Sequence, residues 1–178
     1  MIQGINFDNQ SPTAKDHGVL FSGMLSDGIL FGCEISYAGE NATVGAGYYI
    51  AKGRQCRITA AETKTLTGTS GYARLKAIVD LSGVASETSF SQASIAVDYA
   101  SSLDGFPALT QEDVNAAGTL YEIELAVLTL GAGGVTAVYR KCAEAHNQTL
   151  FIPKEQILSD VSAIPADAPD YKLFFVTV

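Results

Sequence analysis

The chain has 178 residues, enough for one domain or two small ones with a buried core, and 47% of them are hydrophobic, which excludes a chain disordered throughout. Its formal charge of −8 argues against a nucleic-acid-binding protein, because phosphate contacts need a positive surface. No apolar run reaches the roughly 18 residues of a membrane span, and no signal peptide opens the sequence. We therefore expect a protein made in the cytoplasm, without membrane insertion.

The first 25 residues predict an arm followed by a short helix. Residues 1–10 are rich in turn-forming residues. Ser11 suits a helix N-cap, Pro12 suits the first helical position, and apolar residues recur near helical spacing as far as residue 25. Gly18 and Gly23 weaken this helix, each by about 1 kcal/mol relative to alanine. We expect the helix over residues 13–25, packed beside a sheet.

Residues 24–59 predict two consecutive hairpins and form the scaffold around which the chain is organised. Cys33, Ile35 and Tyr37 alternate with polar residues, the pattern of a half-buried strand, and a turn follows at residues 39–41. A second hairpin turns at residues 51–54, where Gly53 suits the left-handed conformation. No acid, base or nucleophile gathers in this stretch.

The middle of the chain predicts strands with one water-facing side. Residues 63–71 are interpreted as a loop, and residues 72–81 as a strand whose outer face carries Arg74, Lys76 and Asp80. A polar loop or edge at 82–94 leads to a short strand at 95–99. Strand 121–127 follows, on which Glu122 and Glu124 are interpreted as solvated charges.

Three further segments are predicted from turn and helix signals. Thr110 followed by Asp113 resembles a helix-start box, and Gly118 supplies a stop, so a helix of one or two turns is expected there. Residues 131–134 predict a turn, with 135–139 pairing back as a hairpin. Residues 141–147 are a candidate short helix, and 153–170 a loop.

The last eight residues are apolar on both faces of a predicted strand. Such a strand must be covered on two sides, either in the centre of a sandwich or against another subunit, and the sequence leaves both alternatives open. The interface candidates are Leu173, Phe174, Phe175, Val176 and Val178.

These elements together predict a mainly β fold. About eight short strands, glycine-rich turns and one or two short helices are typical of an antiparallel β-sandwich or barrel-like domain. We expect a single β-rich structural domain over residues 1–178, with the arm and helix in residues 1–25.

The sequence offers few groups that could carry chemistry. On a helix, Cys142 and His146 would share one face, as zinc ligands or a Cys–His nucleophile require, but a buried cysteine beside a surface histidine is the favoured interpretation. Cys33 and Cys56 are either a cross-strand pair or free thiols, and an intracellular origin favours thiols. We predict no catalytic residue, cofactor or metal site.

Tyrosines suggest an alternative role as a carbohydrate-binding module that contacts a host surface. Aromatic rings stack on sugars, but the sequence has no tryptophan, and most of the tyrosines are predicted to face the core. The tyrosines concerned are Tyr48, Tyr49, Tyr72, Tyr99 and Tyr139.

Two blocks of the chain carry a resemblance to a known family. The first block comprises Asp27-Gly28-Ile29-Leu30, Gly32-Cys33, Gly45-Ala46-Gly47 and Gly53-Arg54. The second comprises Pro107-Ala108-Leu109-Thr110-Gln111-Glu112-Asp113-Val114-Asn115, Gly118-Thr119-Leu120-Tyr121-Glu122-Ile123 and Leu125-Ala126. Together they resemble the N-terminal region of tailed-phage baseplate and tail-appendage proteins. Neither block holds a catalytic motif, so the likeness bears on role and fold.

The resemblance implies a non-enzymatic virion component of a phage or prophage. Such a protein would be assembled in the bacterial cytoplasm and reside in the tail, bound to other tail or baseplate proteins. The resemblance also implies a homo-oligomer, with a trimer favoured. A host-surface glycan is an open alternative partner, and a small hydrolase built on Cys142 or a carboxylate pair is the least favoured function.

Overall fold

The computed structural model describes residues 12–86 and 90–146. The predictions for residues 1–11 and for the C-terminal interface candidates lie outside these ranges, so a single domain over 1–178 stays a prediction. Within the described residues the helix is α1 (Ala14–Met24), and the strands are β1 (Gly28–Gly32), β2 (Ile35–Ala38), β3 (Asn41–Val44), β4 (Gly47–Ala51), β5 (Arg54–Ile58), β6 (Glu62–Thr65), β7 (Gly71–Asp80), β8 (Ala93–Ala100), β9 (Leu120–Gly131) and β10 (Gly134–Lys141).

The strands form three antiparallel sheets. One has four strands in the order β10-β9-β7-β8, and two have three, in the orders β1-β4-β5 and β2-β3-β6. The predicted mainly β, antiparallel, sandwich-like fold is confirmed, whereas the barrel-like alternative is wrong because the sheets do not close. The core draws on all three sheets, with Leu75, Val79, Ile123, Leu125 and Leu128 from the large one and Val44, Tyr49 and Ile58 from the small ones.

The β4–β5 hairpin confirms the predicted tight turn. Lys52 and Gly53 both adopt left-handed backbone conformations, with φ of 47° and 75°. Two such residues in succession give the turn whose twist matches that of the flanking strands. Strand β2 begins at Ile35, later than predicted, because Cys33 has a φ of 56° and therefore lies outside the β region.

Helix α1 is confirmed, but its predicted start at Ser11 and Pro12 is wrong. Thr13 is the N-cap, and its hydroxyl accepts a hydrogen bond from the Asp16 N–H at 3.2 Å. The Asp16 carboxylate accepts one in return from the Thr13 N–H at 2.7 Å. This reciprocal capping box satisfies two N–H groups that would otherwise be unpaired. The N-cap therefore lies two residues after the predicted one, Ser11.

The predicted loop at residues 63–71 is wrong in its first part, because β6 runs through Glu62–Thr65. The hydroxyls of Thr43 and Thr63 lie 2.8 Å apart across the β3–β6 pair. The Thr65 hydroxyl donates to Asn41 Oδ1 at 2.8 Å. Cross-strand pairs of this kind stabilise a sheet, and threonine is well suited to strands.

The helix predicted near Thr110–Gly118 is also wrong, because its acidic side chains bind other backbone groups. The Glu112 carboxylate accepts from the N–H groups of Thr119 at 2.7 Å and Leu120 at 3.0 Å. Asp113 accepts from the Asn115 N–H at 3.1 Å. Local side-chain bonds of this kind compete with helix formation, and the segment forms turns instead.

The helix predicted at residues 141–147 is not formed over the part described. Strand β10 extends to Lys141, and the following residues run beside β1. The Ile29 N–H donates to the Ala143 carbonyl at 3.0 Å, and the Ala145 N–H donates to the Ile29 carbonyl at 2.8 Å. The chain therefore uses its backbone groups for a parallel bridge rather than a helical turn.

Candidate docking surface

Cys142 and His146 do not form the one-faced pair considered from the sequence. The segment that carries them is extended, and His146 Nδ1 lies 2.9 Å from the Ser26 hydroxyl. Burial raises the pKa of the Cys142 thiol, and the nearby charges of Glu124 and Asp27 raise it further. A thiol held protonated is a poor nucleophile.

All three cysteines are free thiols, so the cross-strand pair between Cys33 and Cys56 is wrong. Burial raises the pKa of both of these thiols as well. Across residues 12–86 and 90–146, no three side chains of His, Cys, Asp or Glu are grouped to hold a metal ion.

The outer face of β7, predicted to be wet, instead carries a largely buried ionic cluster of Arg74, Lys76, Asp98 and Glu122. Arg74 Nη2 lies 2.5 Å from an Asp98 carboxylate oxygen. Lys76 Nζ bridges the two acids, 3.2 Å from Asp98 and 2.8 Å from Glu122. Glu122 is only 6% exposed, so its interpretation as a solvated charge is wrong.

Residues 106–110 cover this ionic cluster. Arg74 donates to the Pro107 carbonyl at 2.6 Å, and its guanidinium carbon lies 4.9 Å from the centre of the Phe106 ring. Glu122 accepts a hydrogen bond from the Thr110 N–H at 2.8 Å. The charges neutralise one another beneath a polypeptide cover, and their contacts hold residues 106–110 in place.

The cluster lowers the pKa of both its acids. Burial alone would raise the pKa of Asp98, but hydrogen bonds from Arg74 and Lys76 outweigh it and hold that pKa below the ordinary value. Burial would also raise the pKa of Glu122. Hydrogen bonds from Lys76 and from the Thr110 N–H outweigh this effect, so the pKa of Glu122 is lowered as well. Both carboxylates are therefore ionised at neutral pH and unsuited to a general acid role.

The tyrosines divide between core and surface. Tyr49 is buried, Tyr48 and Tyr72 are partly buried, and Tyr99 and Tyr139 are exposed. The prediction that most of them face the core is wrong. Tyr99 borders a shallow hollow with Thr67, Gly68, Ser70 and Ser101.

Helix α1 leaves three of its four large apolar side chains exposed, and only Phe21 is partly buried. The helix packs closely on the β4–β5 turn at two glycines, since a Cβ added at Gly53 would collide with the Gly18 carbonyl oxygen. Val19, Leu20 and Met24 are consequently 53%, 53% and 43% exposed. A surface helix ordinarily turns its apolar residues to the core, so this set, called the α1 apolar stripe, is an unusual exposed apolar surface.

A depression next to α1 follows the outer edge of β5 and is called the β5 trough. It consists of two hollows of about 310 and 420 Å³ that share the ring of Phe90, itself 65% exposed. The first hollow is lined by α1, β5 and the end of β7, and the second by β5, residues 59–62 and the start of β8. The lining of the two hollows includes Arg54, Gln55, Cys56, Arg57, Phe21, Leu81, Phe90 and Ile95.

The cations of the described residues are distributed unevenly. Those on β6, β7 and β10 are all in ion pairs. The lysines and arginines on α1 and the β4–β5 hairpin form no ion pair with a described residue, although two of them bind backbone carbonyls and one lies over an aromatic ring. These four are Lys15, Lys52, Arg54 and Arg57.

Sequence reasoning missed both the α1 apolar stripe and the β5 trough. The signal for the stripe was available, since Gly18 interrupts the face of α1 that packs inward. The trough had no sequence signal, because the order of strands in a sheet decides which edges stay unpaired.

Comparison with known proteins assigns no family. No family model matches the chain, and a search of curated proteins finds no significant match. Among the described residues, no helix combines the length and apolar character needed to cross a membrane.

Proposed function

We propose that this protein is a non-enzymatic component of a phage or prophage tail that docks into a baseplate or tail appendage. The α1 apolar stripe is the observation that carries the proposal. Burying a fully exposed Leu or Met side chain is worth about 1.5–3 kcal/mol. Leu20 and Met24 are about half exposed, so a partner that covers them gains about half that amount from each. The two sequence blocks that resemble baseplate proteins supply the class of assembly.

The ionised groups of the four-stranded sheet support a scaffold role. The ionic cluster satisfies its charges internally, and Glu124 is held by a two-pronged ion pair with Arg140 at 2.5 and 2.8 Å. Groups fixed in this way hold loops and strands in place. Rigid presentation of a surface is what a docking protein needs, because it reduces the entropy lost on binding.

The test is incorporation into particles. A host that carries the gene would be induced, and its tailed particles purified and analysed by mass spectrometry, with the tagged wild type or the Leu20→Glu/Met24→Glu variant supplied in trans. We expect the wild-type chain to be present in the particles and the Leu20→Glu/Met24→Glu variant to be absent from them. A Lys141→Glu variant, which controls for the change in charge, should still be incorporated. Particles that lack the wild-type chain would overturn the proposal.

The proposed assembly is a homotrimer in which Leu173, Phe174, Phe175, Val176 and Val178 contribute to the subunit interface. Size-exclusion chromatography with light scattering measures the mass of the full chain directly. A monomer at all concentrations would remove the trimer while leaving docking to tail proteins intact.

A carbohydrate-binding role is the second candidate, and the exposed Tyr99 beside its polar hollow favours it. The hollow combines an aromatic ring with the hydroxyl-bearing residues Thr67, Ser70 and Ser101, the mixture that sugar sites use. A glycan array gives the test. Binding that is lost in Tyr99→Ala and kept in Tyr37→Ala would support this role, and an array without hits would remove it.

A further inference from the structure

The outer edge of β5 has backbone groups that no strand of the described residues pairs. Ala51 and Arg54 close the β4–β5 turn, and the pairs continue through Tyr49 with Cys56. Because the hydrogen-bonding direction alternates along an antiparallel pair, the N–H and C=O groups of Gln55 and Arg57 point away from β4. β5 ends its sheet, and no other described strand pairs with it.

The β5 trough provides space and apolar contacts beside this edge. Its two hollows follow β5 from Arg54 to Ile58, and the Phe90 ring stands exposed between them. Phe21 and Leu81 line one hollow, and Ile95, on the edge strand β8, lines the other. An extended segment placed here would bond to β5 and put alternate side chains against apolar walls.

The charges around the trough indicate which segment fits. Lys15, Lys52, Arg54 and Arg57 are the described lysines and arginines without ion pairs, and all lie on α1 or the β4–β5 hairpin. Of the acids nearby, Glu62 pairs with Lys64 at 3.5 Å. Asp16, which caps α1, and Asp27, which accepts a hydrogen bond from the Lys52 N–H at 2.6 Å, keep their charges, and the four cations outnumber these two acids. In a chain of net charge −8, this is a locally cationic edge.

We propose that β5 accepts an extended segment of a partner protein, with acidic and apolar residues in alternation, as an added strand. The proposal rests on the docking role proposed above and names the partner's chemistry. Backbone hydrogen bonds to Gln55 and Arg57 fix the register. Phe90 and Ile95 receive the apolar side chains, and the exposed Arg57, which points to the opposite face of β5 from Cys56 and Ile58, attracts the carboxylates.

The test uses the full chain and a synthetic nonapeptide that alternates valine with glutamate. Fluorescence anisotropy measures binding, and amide hydrogen exchange followed by NMR measures protection of the Gln55 and Arg57 N–H groups. Two peptides serve as controls, one with lysine in place of glutamate and one N-methylated at alternate residues. Two protein variants of equal charge change, Arg57→Glu and Lys141→Glu, are compared.

We expect the acidic peptide to protect both amides, and Arg57→Glu to weaken its binding at least about tenfold, while Lys141→Glu changes it less than about twofold. The N-methylated and lysine peptides should bind at least about tenfold more weakly than the acidic one. Equal binding of acidic and basic peptides, or no binding, overturns the proposal.

Two further outcomes would also overturn it. Protection of the Gln55 and Arg57 amides that rises with protein concentration, without peptide, would assign the edge to a second copy. Protection already complete in dilute free protein would mean that the edge is covered within one chain. Failure of the peptide while the chain still enters tail particles would reject this site and leave the docking role standing.

Discussion

At the scale of single residues, Lys76 holds the ionic cluster together because it contacts both Asp98 and Glu122. Lys76→Met would leave Asp98 paired with Arg74 and the buried Glu122 carboxylate without a cation. Breaking a buried ion pair on one side costs about 3 kcal/mol, so we expect a loss of that order in the free energy of unfolding, measured by urea denaturation. The matched Arg140→Met variant breaks a more exposed pair and should cost about 0.5 kcal/mol. Similar losses in the two variants would contradict a special role for the cluster.

The same cluster predicts acid sensitivity. The pKa values of Asp98 and Glu122 lie below their ordinary values of 3.8 and 4.5 in the folded protein. As the pH falls through those ordinary values, the unfolded chain takes up protons that the folded protein does not, so the free energy of unfolding decreases. The loss continues until the pH passes the lowered pKa values of the folded state, and it is absent near neutral pH.

We expect the Asp98→Asn/Glu122→Gln variant to lose less stability than the wild type between about pH 6 and pH 3. The slope of stability against pH is the measurement, since the substitutions also change the stability at neutral pH. An unchanged slope would mean that other acids control acid unfolding.

The three thiols predict slow chemical labelling of the native protein. Burial raises the pKa of Cys33, Cys56 and Cys142, and only the thiolate reacts. We expect iodoacetamide at neutral pH to modify them much more slowly than in denatured protein, with mass spectrometry as the readout. A reducing agent should leave the thermal midpoint unchanged, and a shift in that midpoint would indicate a disulfide.

At the scale of elements, the contact between α1 and the β4–β5 hairpin depends on two glycines. An alanine at Gly53 needs a left-handed backbone and also collides with the Gly18 carbonyl oxygen. Gly39 has a similar φ of 56°, but open space surrounds its Cβ position. Gly39→Ala should therefore cost about 1 kcal/mol of backbone strain, and Gly53→Ala clearly more. Equal losses of unfolding free energy would show that α1 adjusts to the added methyl group.

The elements predicted from sequence were those in which local chemistry and tertiary pairing agree. The β4–β5 turn and strand β7 are examples, since their turn residues and alternation need no distant partner. Residues 62–65 and the helix predicted near Thr110 failed for the opposite reason. The hydroxyl of Thr43, 20 residues away, pairs with Thr63, and the backbone of residues 119–120, beyond the predicted helix, binds the Glu112 carboxylate, so contacts outside each segment determine its conformation.

At the scale of the whole molecule, the α1 apolar stripe should be dispensable for folding. Leu20 and Met24 are 53% and 43% exposed, so Leu20→Glu/Met24→Glu should change the free energy of unfolding by less than about 0.5 kcal/mol. The buried Leu128→Ala control should lose about 2–5 kcal/mol. A large loss in the double variant, measured by urea denaturation, would mean that these side chains support the fold and do not serve a partner.

The sequence by itself determined the mainly β class, the hairpins and the helix near residue 14, because glycine positions and side-chain alternation act over a few residues. It misjudged Glu122 and had no access to the β5 edge. Burial of a charge depends on which loop lies above it, and an unpaired edge depends on the order of strands in a sheet. Both properties arise from contacts between residues distant in the chain, which only the tertiary structure decides.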